Sequence, residues 1–499
     1  MTEILWHTTG DLPLLLLLQL APLLGAGLVF ALGDRIGAVT VGRVFAVLEL
    51  VVAIAIFRHI DAASPALQLA ERHGQYHVGA DGVTALFVLL GALIVVLMSF
   101  YGLVRGLAQP GRLMALILVS EALMMSMLVT LNLLWFAIAS VVELAIAGYL
   151  IGHWSTSTQE NRSMVSRRFL QFQGIGLLLL FAGVAMVSWE HADSAGRWSF
   201  DLFDLAATPV HARFQTAAFF LLFYGLAVRT PLFPLHGWLP DIMHRGMVSI
   251  APSMLLGVKV GIYGMLRFVL PLTPDAVSEW QGFVVAFAMI GVFYAAILAF
   301  LQTNLRRLLS FAVVSHTSLI VIGLFSLEPL GIAGAVLLSV NFGLAVTVML
   351  FMVGFVFRRT GSTDLVKLGG LFERIPFIAT CFLVGGLAIV GMPGTPGFDA
   401  AHLVLEASMQ RFGALPTVAT ALGNVAAAGF LLWAFQKAFI AQRLPGASVE
   451  TLERTLPMEV LVGGLAVAVL LLAGFYFETW LNLIEVATQT MALRFGGSA

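Results

Sequence analysis

Fourteen separate apolar runs, each about 20 residues long, are the strongest constraint on what this chain can fold into. They lie at approximately 13–33, 38–58, 83–105, 113–130, 132–152, 169–189, 213–232, 249–271, 281–302, 307–326, 330–357, 375–397, 414–440 and 457–481. Inside a bilayer every backbone N–H and C=O needs an internal partner, so a segment that spans it is a helix or part of a closed barrel. The runs are continuously apolar rather than alternating, which predicts an all-α polytopic membrane protein with about 14 transmembrane helices. Composition agrees: 11% of residues are charged, where a soluble domain carries about 25%. The first run is read as an uncleaved helix, because it is too long for a signal peptide and lacks a small-residue cleavage site. A net charge of −1 leaves no basic footprint for nucleic acid. The single cysteine, Cys381, excludes an internal disulfide and a multi-cysteine metal centre, and reads as a small buried apolar side chain.

Cations fix an orientation. Loops after odd-numbered runs hold seventeen of the 26 lysines and arginines, among them Arg167, Arg168, Arg306, Arg307, Arg358 and Arg359, and the opposite side holds six. The positive-inside rule then puts the odd-numbered loops in the cytoplasm and both termini on the non-cytoplasmic side of the cell (inner) membrane. The acidic connection between Glu190 and Arg213 reads as a solvated loop. The first two runs are read as a scaffold that carries no charge at membrane depth.

The stretch Leu226–Phe268 is different in kind. Arg229 sits in an apolar run that Pro231, Pro234 and Pro240 then break, and Lys259 lies inside the next run. Cations at membrane depth are costly unless paired or hydrated, and proline frees carbonyls that survive there only inside protein or beside water. A broken helix beside an intramembrane charge points to an ion path. Pro393 and Pro396 repeat the spacing of Pro231 and Pro234 after 162 residues, five runs later. An odd offset inverts the topology, and paired broken helices in inverted halves point to a transport site at the midplane. The predicted organisation is a scaffold of helices 1–3 (residues 1–112), one five-helix repeat of helices 4–8 (113–271), an inverted second of helices 9–13 (272–440), and a last helix with a short tail (441–499). Helices 7 and 12 are the broken ones. No phosphate loop, dinucleotide fingerprint, cysteine cluster or paired-histidine haem signature occurs, so no cofactor is assigned to this chain.

Several motifs resemble one family. They are PLHGWLPD at 234–241 with a cation just before its first proline, K-x-x-x-Y-G-x-L-R-F from Lys259 to Phe268, N-L-L-x-F followed by Glu143-Leu144, Q-T-N-L-R-R-L-L from Gln302, and G-x-D-G around Asp81, with 357–371 adding a further match. Together they are similar to the proton-conducting, antiporter-like membrane subunits of respiratory complex I and the Mrp antiporters, subunit M above all. The resemblance implies that Glu143 pairs with the cation of helix 7, that Lys259 is the central lysine of helix 8, and that His316 is the central histidine of helix 10. It also supports the inverted halves, with Lys437 roughly where Lys259 sits in the first. Four departures stand out. Arg229 replaces the family's lysine, and an arginine does not release its proton. Met243 and Met247 replace a histidine and a proline. Phe342 stands where the family pattern N-H-G has histidine. Ala401 occupies the charged site of helix 12, with Asp399, His402 and Glu406 around it as candidate substitutes. Asp81 and Gly82 are read as a tight turn at the membrane surface.

These residues imply an ion-translocating subunit that couples a gradient to a partner, with Lys259 and His316 carrying the exchangeable proton and Arg229 remaining charged. A redox enzyme in its own right lacks the necessary motifs, and a non-conducting structural anchor is the third reading. The altered charges suggest a diverged branch: the membrane subunit of a DAB-type inorganic-carbon (CO2/bicarbonate) transporter, whose partner is a zinc-containing, carbonic-anhydrase-like subunit. The alternative is the proton-pumping subunit M of NADH-quinone oxidoreductase, or of a related respiratory or hydrogenase complex, with respiratory partner subunits.

Overall fold

The computed structural model describes residues 4–6, 13–35, 37–74, 76–105, 108–155, 159–208, 210–246, 251–442 and 452–496. Met247, part of the C-terminal segment 441–499, and both chain ends lie outside the described residues. The chain runs β1 (Ile4–Trp6), α1 (Leu14–Leu32), α2 (Ala38–His59), β2 (Leu67–His73), β3 (Tyr76–Ala80), α3 (Gly82–Arg105), α4 (Pro110–Val129), α5 (Leu133–His153) and α6 (Gln159–Ala195). It continues through α7 (Leu202–Ala207), α8 (Ala212–Arg229), α9 (Leu239–Arg245), α10 (Ala251–Gly264), a π-helical turn (Met265–Val269), α11 (Leu270–Leu272), α12 (Pro274–Phe300), α13 (Leu305–Leu324) and α14 (Pro329–Thr360). The last part holds α15 (Leu371–Arg374), α16 (Pro376–Ile389), α17 (Pro396–Phe412), α18 (Ala414–Phe435), a second π-helical turn (Gln436–Ile440), α19 (Pro457–Phe475) and α20 (Phe477–Ala492).

Among the described residues eleven helices are long and apolar enough to cross a bilayer. The other three expected runs are helical but interrupted or short. The seventh, α8, stops at Arg229, the eighth passes through the first π-helical turn, and α16 has only 14 residues. Six helices (α4, α12, α14, α16, α17 and α19) begin on a proline, whose missing N–H is no loss in a first turn. Asn132 and Asn304 cap α5 and α13 through their side-chain oxygens.

The bundle is layered. In α13 and α14 the most apolar window is 94% buried, whereas in α2 and α19 the figure is 28%. The outer helices expose large apolar side chains such as Phe30, Leu178, Leu415 and Phe475, a surface that suits lipid rather than water. The chain is an all-α, multi-pass integral membrane protein, with one small addition that the apolar runs do not foretell. Strands β1–β2–β3 form a sheet in that order, β1 parallel to β2 and β2 antiparallel to β3. It is tied to the bundle where Glu71 accepts a hydrogen bond from the Leu15 N–H and Tyr76 donates to Gln19.

Three expectations need correction. The Glu190–Arg213 connection is built rather than merely solvated: α6 continues to Ala195, and Asp201 caps α7 while pairing with His77 at 2.6 Å. The stretch between the runs that end at 397 and begin at 414 is not a mere connection but the helix α17, seeded by Pro396. Asp81 and Gly82 do not form an exposed turn. Asp81 is buried against Arg267, and Gly82 opens α3 where an added Cβ would collide with the Leu483 carbonyl of α20.

Candidate functional site

Both expected helix breaks are present, and side chains together with backbone N–H groups satisfy carbonyls they free. After Arg229 the chain turns through 230–238, holding Pro231 and Pro234, before α9 begins. The Val228 carbonyl accepts from the Trp238 indole at 2.9 Å, and the Leu226 and Ala227 carbonyls accept from the Thr230 and Leu232 N–H groups. The second break follows Ile389 and holds Pro393; Gly391 and Gly394 take positive φ angles of 78° and 88° there, a conformation other residues rarely adopt. The Ala388 carbonyl accepts from Asn341 at 3.0 Å, and the Val390 carbonyl from Asn424 at 2.9 Å.

Glu143 and Arg229 meet as the sequence suggested. Arg229 Nη2 donates to Glu143 Oε2 at 2.8 Å, and its Nε donates to the Gly257 carbonyl at 3.0 Å. The pair lines a cavity between α5, α6, α8 and α10 that also meets Gln173 and Trp238. Arg229 therefore links the end of a broken helix to α10, two residues before Lys259.

Lys259 is 2% exposed, and its Nζ makes no hydrogen bond to the described protein. It rests 4.7 Å from the centroid of the Phe342 ring, a cation–π arrangement. His316, also 2% exposed, packs its ring against the same phenylalanine with centroids 5.0 Å apart, and its Nε2 has no hydrogen-bond partner in the described protein. Lys259 and His316 thus share Phe342, the residue that replaces the family's histidine.

The other candidates are not gathered there. Ala401 faces inward, whereas His402 and Glu406 are exposed on the outer face of α17 and Asp399 is half-buried. Lys437 is exposed in the second π-helical turn. Lys259 precedes the first π-helical turn by six residues, and the residue six before the second is Phe430, fully buried. With the two turns aligned, Phe430 rather than Lys437 takes the register of Lys259.

Several buried ionisable groups escaped the sequence reading, three of them in the first break and in helices α2 and α4. His236 lies in the first break among Phe233, Tyr294 and Phe311. Glu49 is fully buried midway along α2, so the second run is not a charge-free scaffold, and Glu121 is 2% exposed midway along α4. Each is an isolated carboxylate in an apolar run, the same signal that singled out Glu143. Among the described residues no group of three or more His, Cys, Asp or Glu side chains could hold a metal ion.

Comparisons with known proteins agree with this architecture. The family model described as "NADH:quinone oxidoreductase/Mrp antiporter, TM" matches residues 133–426. NADH-quinone oxidoreductase subunit M of Mycobacterium tuberculosis is 29% identical over 98% of this chain and 95% of its own. A chain of respiratory complex I from Thermus thermophilus with bound NADH superposes with a TM-score of 0.86 at 26% identity, covering 97% of this chain and 100% of that one. A chain of the Mrp complex from a Dietzia species shares the fold, with a TM-score of 0.84 at 17% identity over 96% and 97% of the two chains. The family match takes in more than half of the sequence, and the chain belongs to the NADH:quinone oxidoreductase/Mrp antiporter family of membrane subunits.

Proposed function

We propose that this chain is a proton-translocating subunit of a multi-subunit, respiratory-type membrane complex whose redox chemistry resides in other subunits. The observation that carries the reading is Lys259, buried in the bundle with no acceptor for its Nζ among the described residues. A buried ammonium without an acceptor is costly and a neutral amine much less so, which suits a group that alternates between the two. Arg229 cannot alternate, and in this reading it is the fixed counter-charge of Glu143, holding the broken helix against α10. His316 takes the proton onward into the second half. Asp399, His402, Glu406 and Lys437 are left to the outer end of the path, where their exposure suits contact with water or a neighbouring subunit.

The paired helix breaks and paired π-helical turns support helices 4–8 and 9–13 (113–271 and 272–440) as two inverted halves, flanked by 1–112 and 441–499. The cation asymmetry supports both termini on the non-cytoplasmic side. The relatives named above are subunits of respiratory and Mrp complexes, and they favour the respiratory alternative over the inorganic-carbon reading. No finding supports a zinc-containing partner.

Purifying the tagged chain from its native membranes tests the assignment. Flavin and iron–sulfur subunits should co-purify, and Lys259→Met should leave the complex assembled but unable to build a proton gradient. Recovery of a zinc-containing, carbonic-anhydrase-like protein instead would overturn the respiratory assignment. Normal pumping by Lys259→Met would overturn the role of that lysine.

A further inference from the structure

Glu49 and Glu121 meet in the middle of the first four helices. Glu49 sits at the centre of the buried stripe of α2, whose other members are Ala38, Gly42, Ala46, Ala53 and Ile56. A carboxyl in that row is conspicuous, because every other position serves close apolar packing. Its polar neighbour is the Glu121 carboxyl of α4, within hydrogen-bond reach, and no protein N–H or O–H donates to either group among the described residues. Among the described residues no arginine or lysine forms an ion pair with them. Neighbouring elements offer little else: α1 contributes Gln19, which bonds Leu15 and Tyr76, and α3 has no ionisable side chain between Gly82 and Phe100. Arg43 of α2 is turned to the Ser99 carbonyl, and Glu143 of α5 is held by Arg229. Two adjacent carboxylates in such surroundings cannot both stay ionised, so the pair holds at least one proton between them.

Glu121 also lines a small cavity with Lys259, enclosed by Phe87, Met124, Met125 and Leu128. A metal cation would want about six or more oxygen ligands, and this cavity adds none to the carboxyl pair. A proton needs only a lone pair. We propose that Glu49 and Glu121 are a proton-sharing carboxyl pair that exchanges protons with Lys259 through this cavity, a second loading site that rests on the proton-translocating reading above. With both carboxyls protonated, one O–H gives its proton to the lone pair of the neutral Lys259 amine. The products are an ammonium and a singly charged pair that still shares one proton. Reloading the pair from the α2 side resets it.

The test uses the intact complex reconstituted in proteoliposomes, with Glu49→Gln, Glu121→Gln, the double variant and Lys259→Met. Glutamine keeps the size of the side chain and offers an amide N–H to the remaining carboxyl, so assembly and thermal stability should be retained. Proton flux should fall by at least about tenfold in each glutamate variant, and the double should be no worse than the singles. Infrared spectroscopy should show a protonated-carboxyl band that either single substitution shifts and the double substitution removes. Wild-type flux and an unchanged band in the double variant, with Lys259→Met inactive, would overturn the carboxyl pair alone. Wild-type flux in Lys259→Met would instead remove the underlying reading. A sodium-dependent flux lost only in the double variant would overturn the proton as the ion bound.

Discussion

The Lys259 Nζ sits over the face of the Phe342 ring, 4.7 Å from its centroid. With His316 packed on the same ring, an apolar side chain that can neither donate nor accept a proton is the shared neighbour of the two groups proposed to carry one. Phe342→His would put a donor and acceptor at that point, and proton flux through the reconstituted complex should rise by about tenfold. Phe342→Leu removes the ring without adding a relay and should bring no such gain. Equal flux in the histidine variant and the wild type would show that transfer does not cross this point.

Glu143 and Arg229 should behave as a unit. Arg229→Met strands a largely buried carboxylate and should cost about 3–5 kcal/mol, read as a fall in the melting temperature of the purified complex. Exchanging the two charges, Glu143→Arg with Arg229→Glu, should restore more activity than either reversal alone. Arg229→Lys should be partly tolerated, because an ammonium reaches Glu143 or the Gly257 carbonyl but cannot reproduce the fork that holds both.

Asp81 and Arg267 form a second buried pair, with one Arg267 nitrogen 2.8 and 2.9 Å from the two carboxylate oxygens and Thr84 and Tyr263 completing the network. Arg267→Met should destabilise the chain by about 3–5 kcal/mol, again measured by thermal unfolding in detergent. Adding Asp81→Leu should recover much of the loss, since no unpaired charge then remains. A double variant as unstable as the single would mean that the pair is held for its wider hydrogen-bond network.

Orientation has a separate check. A reporter active only in the cytoplasm, fused at Ala499, should be silent, and fused between α5 and α6 it should be active. A signal from both sites would overturn the proposed sidedness.

The sequence is most legible where one physical cost is large and local. Charge and proline at membrane depth pointed to both helix breaks, and the family resemblance pointed to the meeting of Glu143 with Arg229, 86 residues apart. It is less legible where the cause is distant in the chain. Gly82 is demanded by a carbonyl of α20, and Asp81 by an arginine 186 residues away, so local turn chemistry misread both. Lys437 looked equivalent to Lys259 by span number, but the π-helical turns set the register and move it to the helix end. The carboxyl pair was missed for a plainer reason: each glutamate was visible, but only the packing of α2 on α4 makes them one group.

Asn341 and Phe342 are consecutive residues of α14, yet they meet different parts of the bundle. The first holds the Ala388 carbonyl near the end of α16, and the second carries Lys259 and His316 on its ring. A displacement of the second break must therefore either sever the Asn341 bond or turn α14 about its axis, and such a turn sweeps the phenylalanine across the lysine. The support of the second break and the ring shared by Lys259 and His316 are cut from the same turn of helix, so the two cannot be set independently.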